Sequence, residues 1–132
     1  MTITEIGDIV FKLYLYADAT KLIHYSTSKN HTHELCDIVR NTIVDFADEL
    51  AEQAFGYLGK PSYTQLTKIN RLEINETDSL EELCDRASEI VDILRTEFEK
   101  DAKLSGIVSA IDDYKGAMLK NKFLCTFDKV SG

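Results

Sequence analysis

Four side chains of this sequence, two histidines and two carboxylates, could bind a metal ion. Asp48 and Glu52 are four residues apart, so on a helix they lie on the same face. His24 falls at the end of one predicted helix and His33 at the start of the next, so the two imidazoles can meet across the turn. Imidazole and carboxylate together suit iron, zinc or manganese, and iron above all where an oxidant must reach the metal. We therefore take these four residues as candidate metal ligands.

His33 and Asp48 cannot reach the same ion within one chain. They are fifteen residues apart on one predicted helix, which corresponds to about 22 Å at the rise of an α-helix. If two subunits pack antiparallel along their first and second helices, a twofold axis brings the histidines of one subunit to the carboxylates of the other. The sequence thus predicts two equivalent sites per dimer, each shared between two subunits.

The elements that must position these residues are long helices. Apolar residues recur at three- and four-residue steps, which is typical of amphipathic helices. Gly59 and Pro61 end the second helix, and Asp78 or Ser79 caps the third. The turn between the first two helices is short, so they should form an antiparallel hairpin, whereas a long crossover with a short helix precedes the third. We predict helices over about 4–26, 31–58, 79–103 and 105–127, with the crossover at 62–78.

The composition favours an all-α fold. With 132 residues the chain is expected to form a single domain over residues 1–132,. One proline and six glycines are too few for a β-fold rich in turns,. Apolar positions such as Ile38 and Leu119 are expected in the core. Cys36, Cys84 and Cys125 are widely spaced, with no CxxC pair, and are interpreted as small buried side chains rather than as disulfide or zinc cysteines,.

Charge and hydropathy bear on DNA binding, membrane insertion and cellular location. The net charge of −8 repels phosphate backbones, so DNA binding is not expected. No apolar run approaches the roughly 18 residues that cross a bilayer. The start "MTITEIGD" lacks the basic residues of a secretory signal,. We therefore expect a cytoplasmic protein that does not enter membranes.

Two stretches of the sequence resemble the Dps family, the mini-ferritins known as DNA-binding protein from starved cells. The first is "IHYSTSKNHTHEL" followed by "DFADELAE", in which His24, His33, Asp48 and Glu52 match the family's inter-subunit ferroxidase residues. The second is "LGKPSYTQLTKINRLEI", which is similar to the family's G-x-P stretch and crossover helix. The resemblance covers the whole chain and implies a ferritin-like four-helix bundle with a short helix in the crossover between the second and third helices.

The resemblance also implies a function. Fe(II) would bind at the shared site, be oxidised by peroxide or oxygen, and be stored as ferric mineral inside a hollow homo-oligomer of twelve subunits, which would protect against oxidative stress. The chain departs from the family at the turn between His24 and His33, which is shorter by about three residues, so His31 is a rival of His33 as ligand. Tyr25 stands in place of the family's tryptophan, and the lysine-rich DNA-binding tail is absent from the N-terminus. The alternative is a ferritin-like bundle without ferroxidase activity, serving as a structural or interaction protein.

Overall fold

The computed structural model describes residues 1–67 and 79–129. Within these residues there are helices and turns and no strand, which confirms the expected all-α helical bundle. The α-helices are α1 (Ile3–Ser26), α2 (Asn30–Leu58), α3 (Tyr63–Thr67), α4 (Leu80–Glu89), α5 (Asp92–Phe98) and α6 (Ser105–Cys125). Short 3-10 turns at Ala102–Leu104 and Thr126–Lys129 precede and follow α6.

The hairpin of α1 and α2 is the part of the fold that positions the candidate site. At its start the Thr2 side chain accepts a hydrogen bond from the backbone N–H of Glu5 at 3.2 Å, and thereby caps α1,. Three residues, 27–29, separate the two helices, so α2 must run back along α1. Gly59 ends α2 with φ 118°, a backbone conformation that residues with a Cβ rarely adopt.

The predicted third helix is broken in two, so the expectation of one continuous helix was wrong. The break falls at Ile90 and Val91, between α4 and α5. Two carbonyls at the end of α4 take hydrogen bonds from α6 instead of from the next helical turn. Tyr114 Oη donates to the Ala87 carbonyl at 2.7 Å, and Lys115 Nζ lies 3.3 Å from the Ser88 carbonyl. These outside donors satisfy groups that a helix end leaves unpaired, so the bend leaves neither carbonyl unsatisfied.

The structure describes only part of the crossover, together with the start of α4, where the third helix was predicted to begin. The short helix α3 lies where a crossover helix was expected. Ser79 caps α4, because its hydroxyl accepts a hydrogen bond from the Glu82 N–H at 3.2 Å,. Asp78, the other predicted cap, and the rest of the crossover over 68–78 lie outside the described residues.

The core lies between α1, α2, α4 and α6. Phe46 of α2 stacks on Tyr114 of α6 with ring centroids 4.0 Å apart,. Two expected core residues are on the surface of the chain, since Ile38 is 53% and Leu119 69% exposed. Both predictions were wrong because the apolar stripe of each helix is wider than the part that the neighbouring helices cover. The side chains that are fully buried and largest are Ile6, Leu13, Ile43, Leu50, Leu83, Leu94, Ile111 and Met118.

Candidate functional site

His24 and His33 form a stacked pair across the α1–α2 turn. Their ring centroids are 3.8 Å apart and the ring planes differ by 20°. His24 Nδ1 lies 2.8 Å from the backbone carbonyl of His33, and His33 Nδ1 lies 2.8 Å from that of His24. A carbonyl can only accept, so each Nδ1 carries the proton. In the neutral rings each Nε2 then keeps its lone pair, which is the tautomer that metal-binding histidines use.

The turn explains why the histidines bond reciprocally. His24 lies in the last turn of α1, where backbone carbonyls have no helical partner,. The three-residue connection brings the first turn of α2 alongside, so His33 can donate to the His24 carbonyl. The pair therefore also has a structural role, because it caps α1 and fixes the angle at which α2 leaves the turn.

His31 is placed differently. Its Nε2 lies 2.9 Å from the carbonyl of Leu124 in α6. Its ring meets that of Phe127 edge-on, with the ring centroids 6.2 Å apart. The structure thus brings His24 together with His33, and it places His31 against the end of α6.

Asp37 is a neighbour of the histidine pair that sequence reasoning missed. It lies one helical turn after His33, and its Oδ1 is 2.6 Å from Lys21 Nζ. The hydrogen bond from Lys21 holds the pKa of the Asp37 carboxyl below its usual value, and the nearby His24 and His33 lower it further,. The spacing of four residues from His33 is the signal that could have found it.

The carboxylates of Asp48 and Glu52 lie further along α2 and are exposed. Among residues 1–67 and 79–129, neither forms an ion pair. Both act on Tyr14 of α1: burial, and then the charges of Asp48 and Glu52, raise the pKa of the Tyr14 phenol,. The charges of the two acids of α2 therefore reach the phenol of Tyr14 on the neighbouring helix α1.

The structure does not bring the two halves of the candidate site together within one chain. The uninterrupted helix α2 carries both His33 and Asp48, and fifteen residues of α-helix span about 22 Å. In the part of the chain that is described, no group of three or more histidine, cysteine or carboxylate side chains is arranged to hold a metal ion.

Each helix of the α1–α2 hairpin carries an exposed apolar side chain. Leu22 of α1 is 71% exposed, and Ile38 of α2 is also largely exposed. Ile38 and Glu52 are fourteen residues apart, close to four helical turns, so they lie on one face of α2. We call this face of α2, defined by Ile38 and Glu52, the hairpin face.

Comparisons with protein-family models, with curated proteins and with solved structures find no match to this chain. Among the described helices, none combines the length and the apolar character needed to span a membrane.

Proposed function

We propose that this chain is a Dps-like iron-oxidising protein whose metal site is shared between two subunits. Fe(II) is its substrate, and His24 and His33 of one subunit bind it together with Asp48 and Glu52 of the next. The observation that carries the proposal is the reciprocal bonding of the histidine pair. Both Nδ1 protons are held by backbone carbonyls, so two imidazoles present Nε2 lone pairs from one rigid turn.

The arrangement along α2 supports a shared site rather than a site within one subunit. The histidines are at the start of α2, and the carboxylates are about four turns further along it,. A twofold axis across the hairpin face aligns the start of one α2 with the middle of its partner. The same packing would cover Ile38, which is 53% exposed in the single chain,.

The residue types suit the oxidation of iron. Carboxylate oxygens favour Fe(III) over Fe(II), so Asp48 and Glu52 make the loss of an electron easier, while the imidazoles hold the ferrous ion before it reacts. With hydrogen peroxide as oxidant, two Fe(II) ions each give up one electron, and the O–O bond is reduced to two hydroxides. The ferric product would then be stored as mineral inside a hollow assembly, which the Dps resemblance places at twelve subunits.

A structural or interaction protein without ferroxidase activity is the second candidate. Two observations favour it. Each histidine already has a structural role in capping the turn, and the Asp37 carboxylate beside the pair is bound by Lys21. In this case the hairpin face would serve assembly alone, and the loss of either histidine would leave every metal-dependent property unchanged.

The test is oxidation of Fe(II) by the purified protein. Fe(II) is added without oxygen, peroxide follows, and ferric absorbance is recorded for the wild type and for a His24→Ala, Asp48→Ala variant, with the assembly sized by light scattering. Rapid oxidation that is lost in the variant on an intact assembly supports the proposal. A matched control is Asp113→Ala, which removes one exposed acid on α6, outside the hairpin face. Oxidation no faster than in protein-free buffer would favour the structural protein.

A further inference from the structure

The three cysteines lie on three different helices and are buried in the core. Cys36 of α2, Cys84 of α4 and Cys125 of α6 are all buried, and no disulfide joins them. The thiols of Cys84 and Cys125 are in hydrogen-bonding contact. That contact, together with burial, raises the pKa of the Cys84 thiol, and Cys36 adds a small effect in the same direction,.

A cavity between α4 and α6 reaches Cys84. Its volume is about 330 Å³, and most of its lining is apolar. The Cys84 side chain forms part of the wall, and so does that of Met118, whose thioether is a second kind of soft donor,. Lys122 also lines the cavity and forms an ion pair with Asp85, Nζ to Oδ1 at 2.9 Å. The cavity therefore brings a small ion to the wall at Cys84, whose thiol is in contact with that of Cys125,.

We propose that Cys84 and Cys125 form a binding site for Cu(I), a site separate from the histidine and carboxylate residues of the proposed iron chemistry. Thiolate and thioether sulfur are soft donors and select Cu(I), whereas iron in a ferroxidase takes nitrogen and oxygen. Two sulfurs in contact do not provide the four ligands of a structural zinc site. They do provide the two donors of a linear dithiolate, a geometry that Cu(I) accepts.

The charges balance on binding. Each thiol gives up its proton to solvent, and two S–Cu bonds replace two S–H bonds, so the complex carries one negative charge. A bare thiolate would be costly in this apolar region, but the bound cation removes most of that cost. Asp85 raises the pKa of the Lys122 ammonium most, and the charge of Cys84 adds a small effect in the same direction. The ammonium would thus partly offset the remaining charge.

The experiment is an anaerobic titration of the reduced, full-length protein with Cu(I) in competition with a chromophoric copper chelator. We expect one Cu(I) per chain, an ultraviolet thiolate-to-copper absorption, and two sulfur neighbours in the X-ray absorption spectrum of copper. Cys84→Ala and Cys125→Ala should each lose this binding. Cys36→Ala is the matched control, since it also removes a buried thiol and should keep the site.

Three outcomes overturn the inference. The first is a copper ion with nitrogen neighbours alone, which would assign it to histidines. The second is copper binding that survives in Cys84→Ala as well as in Cys36→Ala. The third is a wild-type protein that takes no Cu(I) from the chelator. Because the X-ray absorption spectrum is recorded on the wild type, it identifies the copper ligands even if an alanine variant fails to fold. None of these readouts involves Fe(II), so the copper site and the iron function can fail independently.

Discussion

His24 and His33 each donate a ring N–H to the backbone carbonyl of the other, at 2.8 Å in both directions. One arrangement therefore does two things. It ties the end of α1 to the start of α2, and it fixes both imidazoles in the tautomer that can bind a metal ion through Nε2.

The hydrogen bonds between α1 and α2 predict that loss of a histidine lowers the stability of the fold. His33→Ala removes the donor to the His24 carbonyl and the stacked ring, so the free energy of unfolding should fall by about 1–2 kcal/mol. Urea denaturation followed by circular dichroism measures it. Tyr63→Ala is the control, because Tyr63 is 82% exposed and lies outside the α1–α2 turn, so its removal should change stability much less. Equal losses in the two variants would contradict a capping role.

Tyr14 should report on the charge of the carboxylate pair. Asp48 and Glu52 raise the pKa of the phenol, so Asp48→Asn, Glu52→Gln should lower it. A redox-inert divalent cation bound by the pair should lower it in the same way, since it cancels their charge. Burial, the larger cause, remains in every case. The phenolate absorbance of a pH titration measures the pKa, with Tyr14→Phe to assign the signal. The control variant Asp45→Asn, Glu49→Gln should leave the pKa of Tyr14 unchanged. An equal fall in the control would contradict the assignment of the effect to Asp48 and Glu52.

The Lys21–Asp37 ion pair predicts a dependence on acid pH. The folded state lowers the pKa of Asp37, so this group stabilises the fold above the unfolded pKa of about 4. That contribution is lost as the pH falls through the lower, folded pKa. Asp37→Asn should therefore lose less stability than the wild type below about pH 4. The melting temperature as a function of pH tests this. Parallel curves for the two proteins would show that the ion pair contributes nothing.

Lys115 should stabilise the break between α4 and α5. Its ammonium contacts the Ser88 carbonyl and hydroxyl and pairs with Asp92. Lys115→Met keeps most of the aliphatic stem but removes these bonds, so the free energy of unfolding should fall by about 1 kcal/mol. Lys120→Met on the exposed side of α6 is the matched control and should cost little. A control that costs as much as Lys115→Met would show that the effect is one of surface charge.

The helices were predictable from the sequence because their signals are local. Apolar spacing and the caps at Ser79 and Gly59 depend on neighbours within a turn or two. The break at Ile90 and Val91 was not predictable, since it depends on donors that α6 supplies from Tyr114 and Lys115. Likewise, spacing placed His24 near His33 but could not reveal that each ring donates to the other's backbone. That depends on the angle at which the helices leave the turn.

The exposure of Ile38 and Leu119 shows a second limit of prediction from sequence periodicity. Periodicity indicates which residues are apolar and share a face, but it does not say how wide a stripe the neighbouring helices will cover. Ile38 lies on the hairpin face, where a second subunit is proposed to pack. Leu119 lies beside the cavity between α4 and α6.

The central claim is that one metal site is made by two subunits, and mixing inactive subunits tests it most directly. A His24→Ala, His33→Ala protein and an Asp48→Ala, Glu52→Ala protein should each fail to oxidise Fe(II). When equal amounts are dissociated and reassembled together, half of the dimers are mixed, and each mixed dimer has one intact site and one site that lacks all four ligands. We therefore expect the mixture to recover about a quarter of the wild-type oxidation rate. A mixture as inactive as its two components, on dimers shown to be mixed, would contradict the shared site.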